Sequence, residues 1–161
     1  MSIESFSVWL DKTPLSLEIK GAAWFVPAVQ TMHIAAICVV IGSSLLMDLR
    51  LLGVAKDVPI SVYVRRYSPW IGISIAVLLL SGITLIIGEP GRTLGNWVFW
   101  TKMALVTLGA LLTAVFAVPV AQDEIYWDSG RRRQAATLIA TLSLAVWVAV
   151  IVCGRWIAYV L

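Results

Sequence analysis

His33, the only histidine of the chain, lies inside an apolar stretch, residues 24–47, that is uncharged when the imidazole is neutral. On a helix, where successive residues are 100° apart, Gln30, His33, Ser44 and Asp48 fall within about 60° of one another. Polar groups in hydrocarbon are costly unless they are paired. We therefore expect this polar stripe to face protein, and its histidine is the first candidate for chemistry.

Three roles are open to His33. A neutral imidazole can form a hydrogen bond across the bundle, for instance to a hydroxyl on the second span. The imidazole can instead bind the iron of a b-type haem, in which histidine is the usual axial ligand. Proton relay or contact with a quinone is the third possibility.

Two cations complete the candidate site. Lys102 and Arg155 lie at similar depths in the third and fourth spans, and Gln30 lies one helical turn from His33. In the haem interpretation, Lys102 and Arg155 pair with the two propionates, so that His33, Gln30, Lys102 and Arg155 bind the cofactor. The alternative is that both long side chains reach out to the membrane interface, with Arg155 stabilising a helix end.

A single histidine limits the possible metal chemistry, because it excludes bis-histidine ligation within one chain. The iron would be five-coordinate, shared between two subunits, or bound also by Met32, Met47 or Met103. A helical wheel turns Met103 about 100° from Lys102, so we expect the two not to share a face. Methionine, His33 and cysteine could also hold Cu(I).

The two cysteines, Cys38 and Cys153, both lie in apolar spans. We expect them to be buried free thiols rather than a disulfide.

The composition defines the elements that must position these groups. Of the 161 residues, 60% are hydrophobic and 13% charged, about half the charge of a soluble domain. The chain is thus predicted to be one all-α membrane domain, residues 1–161, with spans at about 24–47, 70–88, 97–120 and 137–159. The predicted fold is an up-down four-helix bundle preceded by a short interfacial amphipathic segment, residues 1–21, in which Thr13-Pro14 starts a second helical turn.

Charge placement predicts orientation. The first loop, residues 48–69, and the third loop hold seven Lys and Arg residues, among them Lys56 and Arg131, against five on the other side. The positive-inside rule then puts both termini outside the bacterial cytoplasmic membrane, with no cleaved signal peptide expected. Asp48 begins the first loop, where we expect an arginine (Arg50, Arg65 or Arg66) to neutralise it, a structural role that is favoured over proton transfer.

Small residues on the second span (Ser74, Ser81, Thr84 and Gly88) share a face that lets membrane helices approach closely. With the apolar surface of so short a chain, they predict a homo-oligomer or a partner membrane subunit in the lipid. Basic residues do not interleave with aromatic ones, so no nucleic-acid partner is expected.

The run VQTMHIAAICVVIGSSLLMDLRLLG, preceded by SVWLDKTPLS, resembles an uncharacterised family of small bacterial four-span membrane proteins. More distantly, the layout is similar to HemJ-type protoporphyrinogen oxidases and CopD-like copper-resistance domains. This resemblance implies that His33 binds haem and that Lys102 corresponds to their lysine in TKMALVTLGALL. The chain has LTAVFAV where the HemJ type carries a second histidine-bearing segment, so the resemblance extends to haem rather than to oxidase activity.

Three functions therefore compete. The first is a haem-b protein for electron transfer or redox sensing, and the second is a structural or accessory subunit without a cofactor. The third is a copper-handling or small-solute transport protein. No nucleophile, base and acid converge in the sequence as a hydrolase would need.

Overall fold

The structure is a computed structural model that describes residues 2–54, 57–124, 126–127, 130–157 and 159–160. Residues 121 and 131 are described by their backbone alone, and Lys56, Asp128 and Ser129 of the predicted loops lie outside the described residues. The described helices are α1 (Ile3–Asp11), α2 (Pro14–Gly21), α3 (Phe25–Leu51), α4 (Ile60–Gly88), α5 (Pro90–Leu94), α6 (Trp97–Gln122) and α7 (Gly130–Trp156).

Four of these helices, α3, α4, α6 and α7, are long and apolar enough to cross a membrane. They form a ring in which α3 packs against α4 and α7, while α6 packs against α4 and α7. Each helix therefore neighbours the one before it in the chain, as short connections dictate. The predicted all-α four-helix bundle is confirmed, and the chain is a multi-pass membrane protein.

The two ends of the bundle differ. The capped end carries α1, α2 and α5, with α1 against α5 and α2 against α4 and α3. The arginine-rich end carries the connections from α3 to α4 and from α6 to α7. Both His33 and Lys102 belong to the half of the bundle nearer the capped end.

The N-terminal segment folds as its capping residues predict. Ser2 accepts a hydrogen bond from the backbone N–H of Ser5, and Thr13 accepts one from Ser16 with Pro14 at the first helical position. Side-chain oxygens at these positions satisfy N–H groups that the first turn leaves unpaired. The two short helices are confirmed, whereas their place at a membrane interface stays a prediction.

The first connection is shorter than the sequence predicts. Residues 48–51 belong to α3, and α4 begins at Ile60 and continues through Pro69. The reason is packing, because Ile60, Val64 and Ile71 lie at helical spacing and are all buried in the same core cluster. That burial outweighs the hydrogen bond that proline removes from the helix.

The core is concentrated toward the arginine-rich end. One cluster there joins all four long helices, including Met47, Val64, Phe116 and Ala140. A smaller cluster of Val40, Trp147 and Val150 lies nearer the middle of the bundle. Beyond it, toward the capped end, the four helices enclose a cavity.

The small-residue face of α4 is used within the chain. Ser74, Ser81 and Gly88 are buried, and a Cβ built on Gly88 would lie 3.2 Å from Ile19 on α2 and 3.7 Å from Val26 on α3. Small residues thus bring α4 close to α3 and α2. The buried members of this face thus serve packing within the chain, whereas Thr84 is not buried.

Candidate functional site

The imidazole of His33 is tied to α4. Nδ1 of His33 lies 2.7 Å from Oγ of Ser81, which is also 2.6 Å from the carbonyl oxygen of Val77. The polar stripe therefore does meet protein at His33, and the predicted hydrogen bond to a hydroxyl on the second span is confirmed. Helix α3 supplies the ring and α4 supplies its anchor.

These contacts fit one arrangement of the protons, in which the Ser81 hydroxyl donates its one proton to the Val77 carbonyl and accepts a hydrogen bond from Nδ1–H of His33. The other ring nitrogen, Nε2, then carries a lone pair. No described residue forms a hydrogen bond with Nε2. A neutral imidazole held by Nδ1–H, with Nε2 open, is the form in which histidine binds metals.

A cavity of about 410 Å³ lies beside His33 and is lined by all four long helices and by α5. Its walls are mostly apolar, including Ile37 and Val40 of α3 and Leu78 of α4. Its size is that of a small-molecule or cofactor site. Gln30 and Lys102 also line it, so the structure brings three of the four predicted site residues together.

Lys102 is partly buried and enters the cavity from α6. A Cβ built on Gly154 would lie 3.8 Å from its Nζ, so the ammonium lies against a side-chain-free stretch of α7. Among the described residues, no hydrogen bond or ion pair is formed by this ammonium. An unpaired ammonium in an apolar cavity favours an anionic group on a ligand.

Two further charged residues, Glu89 and Arg92, line the cavity at the capped end. Arg92 donates a hydrogen bond to Glu89 across 3.2 Å. The sequence predicts neither the short helix α5 nor the position of Arg92 beside the cavity. The signal was present, because Pro90 at the first position favours a helix start there.

Arg155 does not join this site. Its side chain is exposed and donates a hydrogen bond to the Tyr159 hydroxyl across 2.5 Å, with the guanidinium 5.0 Å from the ring centroid of Tyr159. Gly154, its neighbour on α7, is the residue that lines the cavity. Adjacent residues of a helix point about 100° apart, so Arg155 points away from the cavity that Gly154 faces.

The three methionines considered as iron ligands differ in their position relative to the cavity. Met103 lines the cavity together with Lys102, although the two residues are about 100° apart on α6. The cavity is wide enough to be reached from two neighbouring positions of α6. Met32 is exposed and Met47 is buried in the core cluster, so neither lines the cavity.

Both cysteines are free thiols, as predicted. Cys38 is exposed rather than buried, and Cys153 is partly exposed. In the part of the chain that the structure describes, no three His, Cys, Asp or Glu side chains group as metal ligands.

Asp48 lies away from the cavity, buried near the arginine-rich end. The arginines expected to neutralise it have other contacts, since Arg65 pairs with Glu124 and Nε of Arg50 donates to the Val58 carbonyl. No ion pair between described residues includes Asp48. The expected neutralisation of Asp48 is therefore wrong.

A protein-family model matches residues 17–160 of the chain, and it is described as a family of unknown function, DUF6644. No curated protein and no solved structure matches the chain.

Proposed function

Because the chain belongs to this family of unknown function, we propose its role from the cavity: the protein binds haem b through His33. The group would serve electron transfer or redox sensing in the membrane. The observation that carries the proposal is an anchored histidine, with Nε2 open, on the wall of an apolar cavity that also holds an unpaired ammonium.

The state of His33 supports iron ligation. Its Nδ1–H is engaged by Ser81, which fixes the tautomer and the orientation of the ring. An unanchored imidazole would lose rotational freedom on binding, whereas this one is already oriented. The distant resemblance to HemJ-type proteins rests on the same histidine.

The charged groups support an anionic, amphipathic ligand. Among the described residues that line the cavity, Lys102 and Arg92 are the two cations and Glu89 is the one anion. Porphyrin propionates would pair first with Lys102, because Arg92 already pairs with Glu89. The apolar lining would enclose the ring, and Gln30 could hydrogen-bond to a ligand edge.

When bound, haem supplies one-electron redox chemistry, and the axial ligands and the dryness of the site set its potential. The residues of this chain would hold the ring, exclude water with aliphatic side chains and keep His33 neutral with its proton on Nδ1. Met103 is the methionine on the cavity wall and hence the candidate for a sixth ligand.

The absorption spectrum of the detergent-purified protein tests the proposal. We expect a Soret band in the protein as isolated or after addition of haem. His33→Ala should abolish the band and leave the helical circular dichroism intact, since a membrane hydrogen bond contributes only about 0.6–2 kcal/mol. Lys102→Ala should weaken haem retention without abolishing it.

Arg155→Ala is the matched control, because it removes a cation of α7 that does not line the cavity. It should retain haem like the wild type. A wild type that stays colourless after reconstitution would favour the accessory-subunit function, and a band that survives His33→Ala would refute this ligand.

We further propose that the membrane is the bacterial cytoplasmic membrane, with the capped end and both termini outside, on the basis of the positive-inside count. A homo-oligomer or a partner membrane subunit stays a prediction. A mass measurement in mild detergent tests it, and a stable monomer would count against it.

A further inference from the structure

A second polar site lies at Asp48, which does not itself line the cavity, although its neighbour Trp147 does. The side chain is 5% exposed, yet no ion pair between described residues includes it. An unpaired buried carboxylate is strongly destabilising, so such a group is neutral or finds compensation in its surroundings. The neighbours of Asp48 therefore show what it can bind.

Those neighbours come from α3 and α7. Ser44 lies one turn before Asp48 on α3, and Ser143 and Trp147 lie one turn apart on α7. The Ser143 hydroxyl lies close to the Asp48 carboxyl group. Helices α3 and α7 run in opposite directions. One turn closer to the capped end, Ser44 of α3 therefore lies opposite Trp147 of α7.

Three atoms of this group are buried without a hydrogen-bond partner among the described residues. They are Oδ2 of Asp48, Oγ of Ser44 and Nε1 of Trp147. Ser44 is 2% exposed and Trp147 is 5% exposed, so bulk solvent does not satisfy them. Buried polar atoms are almost always paired, and buried water is the usual partner when protein supplies none.

The three atoms suit a water molecule in particular. The indole N–H of Trp147 is only a donor, while the oxygens of Ser44 and Asp48 can accept. One water can accept from the indole and donate to both oxygens, about three hydrogen bonds as is typical of buried water. A metal cation would leave the indole N–H without an acceptor.

The group lies between two open spaces. On one side, Val40, which is fully buried, packs with Trp147 and Val150, and all three line the cavity. In the other direction, a polar pocket of about 430 Å³ is lined by Leu51, one turn beyond Asp48, and by Asp57.

The other titratable and charged groups near this region are few. On α4, the phenols of Tyr63 and Tyr67 pack against the core cluster, and Arg65 and Arg66 are exposed. On α3 the nearest is Arg50, and α7 has none between Arg133 and Cys153. Arg50, Asp57, Glu124 and Arg133 line the polar pocket.

We propose that Asp48, Ser44, Ser143 and Trp147 form a hydrated proton-binding site. The carboxylate takes a proton from water at the arginine-rich end and becomes a carboxylic acid, and the reverse step returns the proton. The internal water bridges α3 and α7 in both states.

Infrared spectroscopy of the full chain in detergent tests the proposal. We expect a carbonyl band of a protonated, buried carboxylic acid that disappears reversibly as the pH rises and shifts in D₂O. Asp48→Asn should lose this band, whereas Asp57→Asn, which changes an exposed aspartate of the polar pocket, should keep it.

Two further variants keep the test informative if Asp48→Asn fails to fold. Trp147→Phe removes the indole donor and Ser44→Ala removes a hydroxyl, and both leave Asp48 in place. Each should shift the pH midpoint and the frequency of the band. A band that is absent at every pH, that never titrates, or that ignores both variants would overturn the proposal. So would a band that Na⁺ removes at constant pH, because the carboxylate would then hold a metal cation.

Discussion

Gly82 on α4 faces the imidazole of His33 on α3, and a Cβ built on Gly82 would lie 3.7 Å from Cε1 of His33. That distance is an ordinary van der Waals contact, so the position admits one methyl group. Gly82 also lines the cavity. The absence of a side chain there keeps open the space beside the ring.

Side-chain size at position 82 should therefore control ligand binding. Gly82→Ala should bind haem and gain up to about 1 kcal/mol of helix stability. Gly82→Leu should lose most of the Soret absorbance, because the larger side chain occupies the space beside His33. Haem titration followed by absorption measures both.

Gly72→Leu is the control for that experiment, since Gly72 lies on the same helix and a Cβ built on it would have nothing within 4 Å. It should bind like the wild type. Undiminished binding by Gly82→Leu would mean that the ligand does not lie beside His33.

Loss of the Ser81 hydroxyl should weaken ligand binding more than folding. Ser81→Ala frees Nδ1 of His33, and loss of such an outer partner costs about 10–100-fold in metal affinity. The unfolding free energy should change by only about 0.6 kcal/mol, the average for a membrane hydrogen bond. Haem titration and thermal unfolding measure the two effects separately.

Thr84→Val is the matched control, because the Thr84 hydroxyl donates only to the Leu80 carbonyl on its own helix. If Thr84→Val and Ser81→Ala weakened binding equally, the anchoring of His33 would not be the cause.

Contact between α6 and α7 depends on Gly109. A Cβ built on this glycine would lie 3.1 Å from Cζ2 and 3.2 Å from Cε2 of Trp147. Gly109→Ala should force the buried indole to move, at about 1–3 kcal/mol, offset by about 1 kcal/mol of helix propensity. Unfolding followed by circular dichroism in detergent measures the net loss.

Gly42→Ala serves as its comparison, since nothing lies within 4 Å of the Cβ position and only the propensity gain applies. Equal stability changes in the two alanine variants would mean that Trp147 moves without cost.

Labelling with a membrane-impermeant thiol reagent tests orientation. In a background without Cys38 and Cys153, cysteine at Asp57 or Gln134 should react only from the cytoplasmic side, and cysteine at Ser2 only from outside. All three positions are exposed. Asp57 is next to the predicted loop position Lys56, and Gln134 lies near the start of α7, five residues after Ser129. The opposite pattern would reverse the orientation and leave the four-helix fold intact.

The sequence was sufficient for the helices because hydrophobic length and capping chemistry are local properties. It placed a helix break near Gly88 and a helix start at Thr13-Pro14, and both are present. It missed the continuation of α4 through Pro69, because burial of Ile60 and Val64 is a tertiary effect.

The site was harder to predict because a helical wheel gives the angle around one helix and not the register between two. Gln30, His33 and Lys102 do line one cavity, whereas Arg155 leaves it and Met103 joins it. The rotation of α7 decides the position of Arg155, and the width of the space between α4 and α6 decides that of Met103. That width follows from packing of all four helices, which no single stretch of sequence encodes.

Helices α4 and α6 share a packed core near Ile71 and Phe116, yet toward the capped end they line opposite walls of an open space between Leu79 and Phe99. The two helices are therefore packed together at one end and separated by the cavity at the other. We expect a lipid-soluble ligand to enter between them from the bilayer, without crossing an aqueous channel and without unfolding the core. Exchange of backbone amide hydrogens should accordingly be fastest in the turns of α6 around Phe99.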